Sequence, residues 1–175
     1  GTSRIVIREV LVRLATAGIV VKNPYQKARV REFTEKDIED LFDVRLYLEL
    51  LAIEKIDKLP YDKYELLKTL IVGPEVEISK YISMDRTLHE EIIKLANNNV
   101  LMNFYLQIRD QVQVARAFMT TRRPERMLEA NKEHYILLEA LLNGDKATAI
   151  RITRQHVESA KAETIMWMRR SKVSH

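Results

Sequence analysis

Asp85 and His89 are the first residues in this chain whose types and spacing suggest chemistry. They are four residues apart, so on a helix they lie on the same face. The rest of that face is apolar, with residues at steps of three and four: Ile78, Ile82, Ile92 and Ala96. A carboxylate and an imidazole one turn apart on an otherwise apolar face are a candidate pair of metal ligands.

Two further histidines lie on apolar faces of predicted helices near the end of the chain. His134 precedes the expected helix end at Leu142 by eight residues, and His156 follows Lys146 by ten. At roughly 1.5 Å per residue they lie about 12 and 15 Å from the turn at 143–145. If the two helices are antiparallel, this turn brings both imidazoles to nearly the same level.

Three imidazoles and one carboxylate suit one divalent transition-metal ion. Asp85, His89, His134 and His156 would bind zinc as the first expectation, with nickel, cobalt or manganese as alternatives. Thiolate sites are excluded because the chain has no cysteine. The competing interpretation is that each histidine is a hydrogen-bonded core residue, which is the more common situation for any one of them alone.

Arg45 falls on the core-facing side of another predicted helix, where a guanidinium needs an anionic partner. One interpretation pairs it with Glu49, four residues later. The other places it in the same cavity as the metal, where it would bind a carboxylate of a small organic acid through two hydrogen bonds. Weaker candidates to line such a pocket are Arg109, Gln113, Arg116 and Asn131.

Composition and charge narrow the class of protein. The chain has 175 residues, of which 46% are hydrophobic, and a net charge of +4. It contains no apolar run of about 18 residues, so a transmembrane helix is not expected, and the absence of cysteine fits a cytoplasmic protein. Residues 1–31 hold seven basic residues and one acidic residue. This basic segment indicates either a nucleic-acid-binding arm or a solvated surface.

The pattern of helix and strand signals divides the chain into two parts. Residues 1–33 predict a helix capped by Ser3 and stopped at Gly18, followed by a short hairpin with strands near 19–21 and 28–33. These are the second half of a winged helix, so the chain is expected to begin in the middle of that domain. Residues 34–175 predict an all-α antiparallel bundle of about six helices, starting at Thr34 with a capping box to Asp37.

At this point the sequence resembles a known family. Residues 1–4, 7–11 and 18–20 are similar to the recognition helix and turn of GntR-family transcription regulators. Residues 37–52 are similar to the first helix of their FadR-type effector domain, called FCD. The four candidate ligands, together with Asn99 and Gly144-Asp145, are similar to the metal pattern of that domain.

The resemblance implies a role for each matching residue. It implies that Ser3, Arg4 and Arg8 contact DNA, with Ile5 and Val6 at base-edge positions between them. It implies that the four ligands hold the metal, that Arg45 binds the carboxylate of a small organic acid effector, and that the protein is a homodimer on operator DNA. One departure is that residues 26–28, near the wing tip, contain no glycine.

We therefore expect a metal- and small-carboxylate-responsive DNA-binding transcription regulator, and not an enzyme. The alternative is a helical-bundle metalloenzyme acting on a small organic acid. That reaction would need a general base beside the metal, and Glu90 and Glu91 are predicted to point away from the ligand face. A third interpretation is a helical interaction module with a structural metal.

Overall fold

The computed structural model describes residues 3–23, 25–73, 75–120 and 124–173. Within these ranges the fold is all-α, as the sequence predicts, with one small hairpin. No helix in them is both long and apolar enough to cross a membrane. The elements are α1 (Arg4–Thr16), β1 (Val20–Val21), β2 (Arg29–Val30), α2 (Glu35–Lys55), α3 (Tyr61–Lys68), α4 (Ile78–Leu95), α5 (Asn99–Thr120), α6 (Pro124–Asn143) and α7 (Lys146–Val173).

The N-terminal part is a helix followed by an antiparallel hairpin. The Ser3 side chain accepts a hydrogen bond from the backbone N–H of Ile5, so Ser3 is the predicted cap of α1. Gly18 follows the end of α1 with a φ of +71°, which glycine adopts without strain. Strand β1 pairs with β2 in the register Val20↔Val30. The second strand is shorter than the predicted 28–33, and α1 has no buried residue.

Helix α2 begins as predicted and ends earlier. The Thr34 hydroxyl accepts from the Asp37 backbone N–H, and the Asp37 carboxylate accepts from that of Thr34, which completes the capping box. The sequence predicts an end near residue 59, but the helix stops at Lys55 because Ile56 takes extended backbone angles. Pro60 does not end α2; it is the N-cap of α3.

The bundle packs α2 against α5 and α7, and α6 against α7. Leu88 of α4 and Leu138 of α6 are almost completely buried in the largest core cluster. Burial of each such leucine contributes about 1.5–3 kcal/mol. This core holds α4 and α6 at the level where their polar residues meet those of α2, α5 and α7.

Candidate metal centre

Three helices bring the four predicted ligands together in the interior. Asp85 and His89 come from α4, His134 from α6 and His156 from α7, and all four side chains are buried. One ligand atom from each lies within 4.8 Å of the others. The His134 and His156 rings have their centroids 4.6 Å apart, so the α6–α7 hairpin does place them at one level.

The spacing of these atoms suits a single ion. His134 Nε2 lies 3.3 Å from His89 Nε2. Asp85 Oδ1 lies 3.8 Å from His134 Nε2 and 4.0 Å from His89 Nε2. Ligands that bind a transition metal at about 2.0–2.2 Å are themselves about 3–4.3 Å apart.

Glu133 orients the imidazole of His156. Its Oε2 accepts a hydrogen bond from His156 Nδ1 at 2.7 Å, which leaves Nε2 without a proton and turned toward the cluster. Arg126 holds Glu133 through two hydrogen bonds, at 3.1 and 2.8 Å. A carboxylate behind a histidine is the usual way in which proteins set the tautomer of a metal-binding imidazole.

Glu49 lies behind His89 in the way that Glu133 lies behind His156. Its Oε2 lies 3.3 Å from His89 Nδ1. Its Oε1 accepts a hydrogen bond from Arg45 Nε at 2.6 Å. Arg45 Nη2 also lies 3.1 Å from His89 Nε2. The two interpretations of Arg45 are therefore compatible: it pairs with Glu49, and it also reaches the cluster.

The charges around the cluster keep its carboxylates ionised. Burial alone would raise the pKa of Asp85, but Arg116, followed by the three histidines, holds it well below its usual range. Arg116 Nη1 donates to Asp85 Oδ2 at 3.0 Å. For Glu49, burial is likewise outweighed by Arg45 and His89, so its pKa is also far below normal.

Two of the histidines are held uncharged. Burial lowers the pKa of His134 well below its ordinary value of 6.5, and the nearby imidazoles of His156 and His89 lower it further. Burial also lowers the pKa of His156, followed by the effects of His89 and Arg45. Neutral imidazoles and ionised carboxylates are the protonation states that bind metals.

The residues fit a divalent metal on a second ground. Asp85 Oδ1 and His156 Nε2 are buried side-chain atoms that have no hydrogen-bond partner within the described residues. Leaving a buried acceptor unsatisfied costs about 1–3 kcal/mol, more for a charged group. A cation bound between these atoms would satisfy both.

A pocket opens beside the cluster and measures about 280 Å³, including its open mouth. One face of α5 forms most of its wall, and the wall is rich in guanidinium groups. The lining residues are Arg45, Asp85, Arg86, His89, Tyr105, Ile108, Arg109, Val112, Gln113 and Arg116.

Three of the four predicted effector-binding residues line this pocket. They are Arg45, Arg109 and Arg116. Asn131 does not line it; its amide donates to the Val72 carbonyl at 2.7 Å, which is a structural hydrogen bond. Ser3, Arg4, Ile5, Val6 and Arg8, the predicted DNA-contacting residues, all lie on the exposed first turns of α1.

Sequence reasoning missed several residues around the site. None of Glu133, Arg126 and Tyr105 is among the predicted site residues. Arg126 and Glu133 are seven residues apart, so helical periodicity places them on one face of α6 and could have identified them as a pair. Both side chains are buried in the structure. Burial, followed by the charge of Glu49, raises the pKa of Tyr105, so its hydroxyl stays protonated.

Comparison with known proteins gives the same architecture. The family model of the FCD domain matches residues 40–159. The chain is 25% identical to the uncharacterized HTH-type transcriptional regulator YdhC of Bacillus subtilis over 166 residues, which cover 90% of this chain and 71% of that protein.

Solved structures extend this likeness to the whole fold. E. coli McbR/YncC superposes with a TM-score of 0.83 at 20% identity, covering 95% of this chain and 87% of that one. The FCD domain of TM0439, solved with Zn²⁺ bound, is 25% identical with a TM-score of 0.63, and covers 78% of this chain and 96% of that one. This chain belongs to the FCD-domain family of GntR-type transcriptional regulators.

Proposed function

We propose that this protein is a transcription regulator that binds one divalent metal, responds to a small carboxylic acid, and controls binding to operator DNA. The observation that carries the proposal is the pair of unsatisfied buried ligand atoms, Asp85 Oδ1 and His156 Nε2, next to an arginine-lined pocket. The metal would be held by Asp85, His89, His134 and His156. When bound, it would supply a Lewis-acidic site for a carboxylate oxygen.

Zinc is the metal that we propose first. Three imidazole nitrogens and one carboxylate oxygen are ligands that zinc accepts, and they leave room for an exogenous ligand when the coordination number expands. The zinc-bound state of the FCD domain of TM0439 supports this choice. Nickel, cobalt and manganese remain alternatives that elemental analysis separates.

The metal assignment is tested by substituting single ligands. His134→Ala and His156→Ala are expected to lose the metal that the wild-type protein retains after dialysis, as measured by elemental analysis. Asn131→Ala is the matched control, because Asn131 is a buried polar residue of α6 outside the cluster. Unchanged metal content in both histidine variants would contradict the assignment.

Arg45 would bind the effector carboxylate together with the metal. Its guanidinium is buried in the pocket, and its Nη1 has no hydrogen-bond partner within the described residues. Nη1 is thus a donor available to a ligand, while Nε is used by Glu49. Calorimetric titration of zinc-loaded protein with short carboxylic acids is expected to show binding that Arg45→Ala loses. Binding of wild-type strength in Arg45→Ala would end this assignment.

The acidic residues around the pocket support sensing over catalysis. Glu49 is bonded to Arg45 and His89, and Glu90 pairs with Arg109 and Lys94. Burial alone would raise the pKa of Glu49, but Arg45 and His89 hold it far below normal, so this carboxylate is a poor general base.

DNA binding would be carried by the exposed start of α1. Arg4 and Arg8 would contact guanine edges or phosphates in the major groove, and Ser3 a phosphate. Two copies related by a two-fold axis would then bind a palindromic operator. The effector would act by binding one arrangement of the two DNA-binding parts more tightly than the other. In a form with a complete winged-helix domain, operator affinity that is absent at every salt concentration would contradict this role.

A further inference from the structure

Within the described ranges, Arg86 is the pocket arginine that has no carboxylate partner. It follows the proposed ligand Asp85 on α4 and lines the pocket, where it is partly exposed. Among the described residues it takes part in no hydrogen bond or ion pair. A guanidinium carries five donors, so this side chain offers an unused anion site.

The other arginines of the pocket have carboxylate partners. Arg109 donates to Glu90 at 2.7 Å and to Asp110 at 2.8 Å. Arg45 and Arg116 pair with Glu49 and Asp85. Four acidic residues are thus paired with three of the four pocket arginines, and Arg86 is the one that has no ion-pair partner in the described part of the chain.

A bound divalent metal changes this balance by two positive charges. A ligand with one carboxylate would neutralise one of them, and a ligand with two would neutralise both. The two arginines differ in burial: Arg45 is 3% exposed, whereas Arg86 is partly exposed, so Arg86 is the one nearer to solvent. Two anion sites at different depths suit a ligand with an anionic group at each end.

We propose that the effector is a short dicarboxylate, with one carboxylate bound by Arg45 and the second bound by Arg86. This inference rests on the proposed function, and it adds the ligand class and the residue that selects it. Arg86 is a specificity-determining residue, because it distinguishes a dicarboxylate from a monocarboxylate of equal length.

Succinate and butyrate are suitable probes, since both have four carbons and only succinate has the second carboxylate. Calorimetry on the zinc-loaded chain is expected to show that succinate binds at least about ten-fold tighter than butyrate. This factor corresponds to the lower end of the free energies found for hydrogen bonds to charged groups, because Arg86 is partly exposed. Arg86→Gln should remove this preference and leave butyrate affinity unchanged. The affinities of malonate and glutarate, compared with that of succinate, then indicate the distance that separates the two anion sites.

Lys80→Gln is the matched control, because Lys80 is a cation of α4 that does not line the pocket. It should retain the succinate preference. An equal loss of succinate and butyrate affinity in Arg86→Gln, or no loss of either, would overturn the role of Arg86. If the wild-type protein binds butyrate and succinate equally, the dicarboxylate inference fails and the proposed function stands. If it binds neither, the proposed function fails as well.

Discussion

At the residue scale, the positioning of His156 by Glu133 can be tested directly by substitution. Glu133→Gln keeps the shape of the side chain but removes the charge that orients His156 Nδ1 and balances the buried Arg126. Loss of such a carboxylate typically costs 10–100-fold in metal affinity. We expect a loss in that range, measured by competition with a zinc chelator on the folded protein.

Glu129→Gln is the control for this substitution. Glu129 lies on the same helix, 3.6 Å from Arg126, and its side chain is 57% exposed. Its removal should leave zinc affinity within about two-fold, since exposed ion pairs contribute little. Equal losses in the two variants would mean that Glu133 acts through net charge and not by orienting the imidazole.

A second residue-scale prediction concerns pH. Because the folded-state pKa values of His134 and His156 lie well below 6.5, the unfolded chain takes up protons that the folded chain excludes. Their contribution to stability is present above pH 6.5 and is lost as the pH falls. The free energy of unfolding of the metal-free protein should drop below pH 6.5, by up to about 1.4 kcal/mol per pH unit for each histidine.

Urea denaturation between pH 7.5 and 5.5 measures this effect. Replacing His134 with Gln should flatten the pH dependence, because glutamine does not titrate. A wild-type unfolding free energy that stays constant across this range would contradict neutral burial of the two imidazoles.

At the scale of elements, the α6–α7 turn decides whether two ligands meet. Gly144 joins these helices with a φ of +72°, and a Cβ there would lie 3.6 Å from the Asp57 carbonyl, so space is available. The cost of Gly144→Ala is therefore conformational, about 1–2 kcal/mol. Chemical denaturation should show this loss, and Gly144→Asn should recover part of it, since asparagine tolerates the left-handed region. Equal stability of the alanine variant and the wild type would contradict the strain argument.

At the scale of the whole molecule, α5 connects the pocket with the N-terminal part. It contributes Arg109, Gln113 and Arg116 to the pocket wall. Between them, Gln111 accepts a hydrogen bond from Arg31 Nη1 at 3.4 Å, and a Cβ at Gly18 would meet its side chain at 3.1 Å. A ligand that moves α5 would therefore act on the hairpin that follows α1.

This connection predicts a coupling that Gln111 carries. Adding succinate to the zinc-loaded wild-type protein should change the hydrogen exchange of amides 19–21, because the packing beneath them changes. In Gln111→Ala the ligand should bind with unchanged affinity while this response falls by several-fold. Gln107→Ala, on the same helix and outside the pocket, is the control. A full response in Gln111→Ala would show that the coupling runs through another contact.

Local sequence determined the helices, their caps and the faces on which the site residues lie. Helical periodicity placed Asp85 with His89, and the turn at 143–145 placed His134 level with His156, because rise per residue and hydrogen-bonding preferences are properties of the backbone. The predicted end of α2 was wrong by four residues. The helix stops at an extended backbone at Ile56, and the sequence there carries no helix-breaking signal as strong as a proline.

Only the tertiary structure decided which side chains face each other across helices. Periodicity identifies the buried face of a helix but not the neighbouring helix against which that face packs. The same sequence rules therefore made Asn131 a pocket candidate, although its amide bonds to Val72, and gave Arg86 no role, although it lines the pocket. The distribution of guanidinium and carboxylate groups around the cluster is set by the packing of α2, α4 and α5, because ion pairs between helices depend on their relative position and not on local sequence.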